Sequence, residues 1–156
     1  MKYHFLFCFV ASVSPLWAQD DLRTPFCNEG TLKGTYAVSI NGTRPAPSIL
    51  PAFAGMPPGT IEMLIGVFLL NFDGRGTQRS YGLTLKGSLS GLFPAEGGSG
   101  PYTVNADCTG SFNAISTGVP FPLVNRMVIF SGGREFRSVV SSPQAVMVRA
   151  VGRKLE

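Results

Sequence analysis

The chain has 156 residues, of which 44% are hydrophobic and 14% are charged, with a formal net charge of +4. This length fits one domain with its own hydrophobic core and is too short for two ordinary domains. The basic residues are scattered along the chain, whereas a nucleic-acid-binding protein normally concentrates them on one element, so the composition argues against a nucleic-acid partner.

Residues 1–19 have the features of a secretory signal peptide. Lys2 precedes an apolar run from Phe5 to Val13, which is too short to anchor the chain across a bilayer. The segment from Leu16 to Gln19 then resembles a cleavage site, directly before two aspartates. We therefore predict export, to the periplasm or out of the cell, without a stable membrane anchor.

Cleavage at that point would remove His4, which is the only histidine of the sequence, together with Cys8. The remaining domain, residues 20–156, then has no imidazole for a Ser-His-Asp triad or for a histidine-ligated zinc site. Cys27 and Cys108 are its only thiols, and we expect them to form a disulfide in an oxidising compartment. The sequence predicts neither a metal site nor a cofactor.

Short β-prone runs separated by glycine-rich turns begin after Cys27, and no segment has a sustained helical period. Thr35 to Thr43 alternates apolar and polar residues, as expected for a strand with one face in a core. Leu64 to Phe72 is apolar on both faces. It is therefore either a central strand or one whose outer face meets a partner, and the pattern leaves open which face points inward.

The pair Asp73-Gly74 follows that run and indicates a hairpin, because tight hairpin turns need a positive φ angle. The returning strand is predicted from Thr77 to about Leu89. Alternation puts the following apolar residues together on one of its faces: Tyr81, Leu83, Leu85 and Leu89.

Five further runs complete the β pattern. They are Pro101–Ala106, Ser111–Ser116, Leu123–Phe130, Glu135–Val140 and Ala145–Val151. Eight strands joined mostly by short turns predict an all-β, antiparallel up-and-down barrel, with an interior that holds packed side chains or one small ligand. A two-sheet β-sandwich is the alternative architecture.

The stretch from Arg44 to Glu62 interrupts this rhythm. It contains several prolines, which exclude a central strand, and apolar residues that a freely solvated linker would lack. A structureless connection of this length is unusual in a compact domain. We predict a lid loop, residues 44–62, across one mouth of the barrel.

Three groups of residues carry a resemblance to a known family. They are Leu32-Lys33-Gly34-Thr35-Tyr36 after Cys27, Phe72-Asp73-Gly74-Arg75-Gly76, and Tyr102-Thr103-Val104-Asn105-Ala106-Asp107-Cys108-Thr109-Gly110. The chain resembles small secreted bacterial proteins, largely uncharacterised, whose strand pattern is similar to calycin and allene-oxide-cyclase-like barrels. The resemblance implies an eight-stranded barrel with a central cavity, and it transfers no catalytic residue.

Aromatic and apolar residues are the candidate ligand contacts, because small-molecule pockets are mostly apolar with a few polar groups. These candidates are Phe53, Met56, Phe68, Tyr81, Tyr102 and Phe130, with the tyrosine hydroxyls orienting the ligand. Glu135 and Arg137 share one face of their strand. If that face points inward, they form a polar floor of the cavity, and if it points outward, they form an exposed ion pair.

Together these features favour a secreted, non-enzymatic β-barrel that binds a small apolar molecule. The first alternative is a structural or interaction protein of the cell envelope, which uses the apolar strand and the proline-rich loop to contact a partner or to form a homo-oligomer. The second is a barrel enzyme of the cyclase or isomerase type, with Glu62 and Glu135 as the acids to examine.

Overall fold

The computed structural model describes residues 26–46, 57–95, 97–115 and 122–156. Within these residues the strands are β1 (Gly34–Pro45), β2 (Ile61–Phe72), β3 (Thr77–Gly87), β4 (Gly91–Ala95), β5 (Ser99–Val104), β6 (Thr109–Ala114), β7 (Leu123–Phe130), β8 (Glu135–Ser142) and β9 (Met147–Lys154). The helical elements in this part of the chain are two short 3-10 helices, Glu29–Leu32 and Ser131–Gly133. The predicted all-β class is confirmed.

The strands form a barrel, in which eight of them pair in a closed ring without a free edge. β1 lies between β2 and β9, the ring continues through β8, β7, β6 and β5 to β3, and β3 pairs with β2 to complete it. All of these pairings are antiparallel. The predicted eight-stranded up-and-down barrel is confirmed, and the alternative of a two-sheet sandwich is wrong.

β4 is an extra strand that the sequence pattern did not predict. It pairs with the second half of β3, where Leu83 lies opposite Ala95, whereas β5 pairs with the first half, where Arg79 lies opposite Ser99. β4 and β5 therefore lie one after the other along β3. Pro94 is the reason that the sequence pattern did not predict β4, because proline within a run argues against a strand unless one edge of that strand is unpaired.

The loop predicted for residues 44–62 is shorter than expected, because both of its ends belong to strands. Arg44 pairs with Glu62 and Pro45 pairs with Ile61, so the β1–β2 hairpin includes four residues that were assigned to the loop. Residues 47–56 lie outside the described residues, and the lid itself stays a prediction.

The β2–β3 turn forms where the Asp-Gly pair predicted it. The Asp73 carboxylate accepts hydrogen bonds from the backbone N–H groups of Arg75 at 2.7 Å and Thr77 at 3.0 Å. Gly74 and Gly76 have φ angles of 79° and 101°, which residues with a side chain rarely adopt. The backbone hydrogen bonds from Thr77 and Arg75 lower the pKa of Asp73, so the carboxylate stays charged and holds the turn.

A β-bulge in β3 reverses the predicted face of Tyr81. Gly82 has a φ angle of 63°, and the register of β3 against β2 shifts by one residue at this point. Leu83 and Leu85 are buried after the bulge, whereas Tyr81 before it is exposed. The expectation that Tyr81 shares a face with these leucines is wrong, because the extra residue changes the phase of the alternation. Leu89 lies beyond β3 in an exposed turn.

Aromatic rings fill one half of the interior, which we call the closed half. Its rings belong to Tyr36, Phe72, Tyr102, Phe112 and Phe136, each at most 3% exposed. Neighbouring ring centroids lie 4.8 to 6.2 Å apart in edge-to-face geometry, which favours aromatic pairs. These contacts seal the end of the barrel that the two 3-10 helices cover.

The tyrosine hydroxyls of the closed half bind the backbone of those helices. Tyr36 donates a hydrogen bond to the carbonyl of Gly133, and Tyr102 donates one to the carbonyl of Glu29 at 2.8 Å. Burial, together with the charge of the nearby Tyr102, raises the pKa of Tyr36 to about 12. The two tyrosines therefore fix the covering helices to the barrel wall.

The predicted disulfide is confirmed. Cys27 and Cys108 are bonded, with their Cα atoms 5.0 Å apart and a sequence separation of 81. Since Cys108 lies in the β5–β6 turn, the bond ties the segment before the first helix to the closed half. The signal peptide predicted for residues 1–19 lies outside the described residues.

Candidate functional site

The other half of the interior, which we call the open half, is lined mainly by aliphatic side chains. Its buried residues are Leu64, Leu83, Leu85 and Val148, and its partly buried ones are Ile40, Phe68, Val140 and Val146. Phe68 points inward from β2, yet it stays partly exposed. The open half is therefore the accessible part of the interior, in contrast to the sealed aromatic half.

A buried ion pair lies at the rim of the open half. Arg44 and Glu62 are cross-strand partners, and the Nε and Nη2 atoms of Arg44 both lie 3.4 Å from Oε2 of Glu62. The Ser90 hydroxyl donates a hydrogen bond to the other oxygen of Glu62. A Cβ atom at Gly87 would lie 1.3 Å from that oxygen, so glycine is required there. β1, β2, β3 and the turn after β3 thus enclose the Glu62 carboxylate together.

Four neutral polar side chains are also buried on the inner wall: Gln78, Ser80, Asn125 and Ser138. The side-chain amides of Gln78 and Asn125 donate to backbone carbonyls at 2.6 and 3.0 Å. Among the described residues, the hydroxyl of Ser138 and the amide oxygen of Gln78 have no hydrogen-bond partner. Buried polar atoms without a partner are uncommon in folded proteins.

The predicted ligand contacts do not form one site. Phe68 faces the open half, whereas Tyr102 is enclosed by other rings in the closed half. Tyr81 and Phe130 lie on the outer surface, where they are 39% and 42% exposed. Outside the described residues lie Phe53 and Met56. Among the candidates within the described ranges, Phe68 is thus the one at the accessible interior.

Glu135 and Arg137 face outward and form the exposed ion pair, so they do not make a polar floor. Arg137 donates to Glu135 at 2.9 Å and Arg153 donates to its second oxygen at 3.3 Å. The hydrogen bond from Arg137 is the main cause that lowers the pKa of Glu135. The Arg137 guanidinium also lies 5.3 Å from the centroid of the Phe130 ring, within cation–π range.

The two apolar faces of β2 lie on opposite sides of the barrel wall. Leu64, Phe68, Leu70 and Phe72 point inward. The opposite face carries an exposed row that we call the apolar stripe, formed by Ile61, Met63, Ile65 and Val67, each 55% to 68% exposed. β2 is therefore a strand whose outer face is available to a partner.

Sequence reasoning identified Glu62 as an acid to examine but missed its partner Arg44. Both residues were placed at the ends of the lid loop. The available signal was the hairpin register, because extending the β1–β2 pairing by one residue beyond Thr43 puts Arg44 opposite Glu62. The two acids considered for catalysis, Glu62 and Glu135, lie inside and outside the barrel wall, and they do not face each other.

In the described part of the chain, no three His, Cys, Asp or Glu side chains are grouped closely enough to hold a metal ion. Among the same residues, no helix has the length and apolar character that crossing a membrane requires.

Comparison with known proteins supports the fold alone. No protein-family model matches the chain, and no curated protein matches it. Among solved structures, the chain is similar to a redesigned beta barrel, with a TM-score of 0.50 and 13% sequence identity over 82% of this chain and 95% of that chain. This likeness supports the barrel architecture and carries no function. The resemblance to secreted bacterial proteins and calycin barrels stays a prediction.

Proposed function

We propose that this protein is an exported, non-enzymatic β-barrel that binds a small apolar molecule in the open half of its interior. The observation that carries the proposal is the contrast between the two halves. The aromatic rings of the closed half are at most 3% exposed, whereas Ile40, Phe68 and Val140 face inward and stay partly exposed. Accessible apolar side chains at one end of a barrel are what such a ligand requires.

Ser138 supplies a polar contact at the floor of this site. The inward positions of β8 run from Phe136 in the closed half through Ser138 to Val140 in the open half. The Ser138 hydroxyl, which has no partner among the described residues, is thus positioned to bind one polar group of an otherwise apolar ligand.

Export is supported by the disulfide, since such bonds persist in oxidising compartments.

Titration with Nile red, a neutral apolar dye, tests the proposal. Phe68→Ala removes an aromatic contact inside the barrel, and we expect the affinity for the dye to fall by about tenfold, as the loss of a buried aromatic contact implies. Val67→Ala is the matched control, because Val67 is the next residue of β2 and points outward. Equal affinities of the two variants, or no dye binding by the unmodified protein, would contradict the proposal.

The apolar stripe supports a second candidate function, an interaction role at the cell envelope. Four consecutive outward positions of one strand are apolar and more than half exposed. A row of this kind on an isolated protein is typical of a contact surface for a partner or a second copy.

Light-scattering analysis of the protein at increasing concentration tests self-association through the stripe. Ile65→Lys places a charge in the middle of the row and is expected to abolish any dimer. Ser99→Lys, on the outer face of β5, adds the same charge away from the stripe and is expected to leave the dimer intact. A monomer at all concentrations would reject self-association.

A further inference from the structure

An outer groove crosses five neighbouring strands of the barrel. It has a volume of about 730 Å³ and is lined by residues of β1, β6, β7, β8 and β9. One arginine enters it from each of three adjacent strands: Arg126 from β7, Arg137 from β8 and Arg149 from β9. We call this feature the arginine groove.

The strand register fixes how the arginines alternate with valines. Arg126 and Arg149 both pair with Val139, so these three residues form one row across the strands. In the next row, Arg137 pairs with both Val128 and Val151. Each arginine is therefore diagonal to the next, at a Cα separation of roughly 7 to 8 Å for such neighbours. The result is a triangle of cationic groups separated by small apolar patches.

The positive charge of this surface is only partly compensated. Glu135 binds Arg137 and Arg153, and Asp107 binds Thr109 in the turn at the groove edge. Within the described ranges, Arg126 takes part in no ion pair, and the sequences of β6, β7 and β9 contain no acidic residue.

Two of the guanidinium groups are held in place while their outer nitrogens stay available. Arg149 donates through Nε to the Asn41 side chain at 2.6 Å, and Arg137 donates through Nε to Glu135 at 2.9 Å. Among the described residues, the Nη atoms of both side chains make no hydrogen bond. A fixed guanidinium with free Nη groups is suited to bind a carboxylate or sulfate, because less side-chain entropy is lost on binding.

The remaining lining residues indicate the kind of anion. Ser39, Asn41, Asn105 and Thr109 bring hydroxyl and amide groups to the groove, and the valines bring aliphatic surface. The described residues that line the groove include no aromatic ring, whereas proteins that bind single-stranded nucleic acid stack its bases on such rings. Hydroxyls, amides and aliphatic patches suit the hydroxyl groups and C–H faces of sugars.

We propose that the arginine groove binds an acidic oligosaccharide that carries sulfate or carboxylate groups. This site is on the outer wall, separate from the barrel interior, so its test is independent of the apolar-ligand proposal.

Isothermal titration of the purified protein with a sulfated hexasaccharide tests it. We expect Arg126→Gln, Arg137→Gln and Arg149→Gln each to weaken binding by about tenfold, as the loss of a hydrogen bond to a charged group implies. Arg79→Gln is the matched control, because Arg79 is exposed on the outer face of β3, outside the groove, and the same charge is removed. Circular dichroism verifies that every variant is folded.

Four outcomes would overturn the proposal. The first is no binding of the sulfated hexasaccharide at low salt. The second is an equal loss of affinity in the Arg79→Gln protein, which would indicate a diffuse charge effect. The third is equal or tighter binding of single-stranded DNA or of anionic lipid vesicles, which would assign the groove to another class of partner. The fourth is an affinity for the neutral, desulfated hexasaccharide equal to that for the sulfated one, which would contradict a role for the arginines.

Discussion

At the scale of single residues, the Arg44–Glu62 pair is the polar feature of the interior whose burial costs the most free energy, because both groups are charged. The Glu62 side chain is fully buried, and charged groups are kept inside proteins only when they are paired and hydrogen-bonded. Arg44 and Ser90 provide those bonds, and the absence of a side chain at Gly87 provides the space. The pair therefore depends on four positions from three parts of the chain.

Glu62→Ala is expected to lower the free energy of unfolding by about 3 kcal/mol or more, because it removes one member of a buried charge pair. Urea denaturation measures the change. The double variant Arg44→Met with Glu62→Leu is expected to lose less, since it removes both charges and restores apolar contact. Glu135→Ala serves as the exposed-pair control, and an equally large effect there would contradict the importance of burial.

Ionisation of Tyr36 is expected to lower the stability of the protein at alkaline pH. Its pKa is raised from 10.0 to about 12 in the folded protein. Between these values the unfolded chain loses the phenolic proton while the folded protein keeps it. The free energy of unfolding is therefore expected to fall by about 1.4 kcal/mol per pH unit from about pH 10 to about pH 12.

Tyr36→Phe tests this prediction by removing the ionisable group. We expect the variant to be less stable at neutral pH by about 1 kcal/mol or more, because the Gly133 carbonyl loses its buried donor. Its decline above pH 10 should be flatter than that of the unmodified protein. Tyr81→Phe, at an exposed position, is the control, and an equal flattening in that variant would contradict the role of Tyr36.

At the scale of elements, a single glycine determines which residues of β3 face the core. Gly82 adopts a positive φ angle and creates the bulge that puts Leu83 and Leu85 inside and Tyr81 outside. Period-two alternation applies only to an unbroken strand, so one extra residue inverts every later position. The face prediction for Tyr81 failed for this reason.

Gly82→Ala is expected to destabilise the barrel by about 1 kcal/mol through backbone strain alone. A Cβ atom at this position meets no other atom within 4 Å, so no steric clash adds to the effect. Gly82→Asn should be tolerated better, because asparagine adopts the left-handed conformation more readily. Thermal unfolding compares the two variants. An alanine variant as stable as the unmodified protein would show that the bulge does not need this conformation.

At the scale of the whole molecule, the disulfide joins the covering helix to a ring that is already closed by strand pairing. Its two cysteines have a sequence separation of 81, with one in the segment before β1 and the other in the β5–β6 turn. Two devices therefore seal the closed half, the aromatic rings inside it and the covalent bond at its end. Within the described ranges the open half has neither, and its aliphatic side chains and the ion pair leave it accessible.

Replacing Cys27 and Cys108 by serine is expected to lower the free energy of unfolding by about 4 kcal/mol, as the chain-entropy model gives for a loop of this length. Guanidinium denaturation of the double variant and of the oxidised protein measures the difference. Addition of a reducing agent should lower the stability of the unmodified protein and leave the variant unchanged. A difference below about 1 kcal/mol would show that the barrel alone carries the stability.

The sequence by itself determined the elements that depend on local chemistry. Strand runs are visible as alternation, the β2–β3 turn as an Asp-Gly pair, and the disulfide as the two cysteines left after the predicted signal peptide. Each of these follows from a residue and its near neighbours. The number of predicted strands, together with the short turns, was enough to favour closure of the sheet.

Only the tertiary structure decided which surfaces are inside. The apolar stripe and the inner face of β2 are almost equally hydrophobic. The pairing of β2 with β3 closes the ring and so decides which of these two faces lies inside. The pairing of Arg44 with Glu62 and the rows of the arginine groove likewise depend on register across strands that are far apart in sequence. Composition and spacing carry no information on such register, because it is set by closure of the ring and by the bulges that shift it.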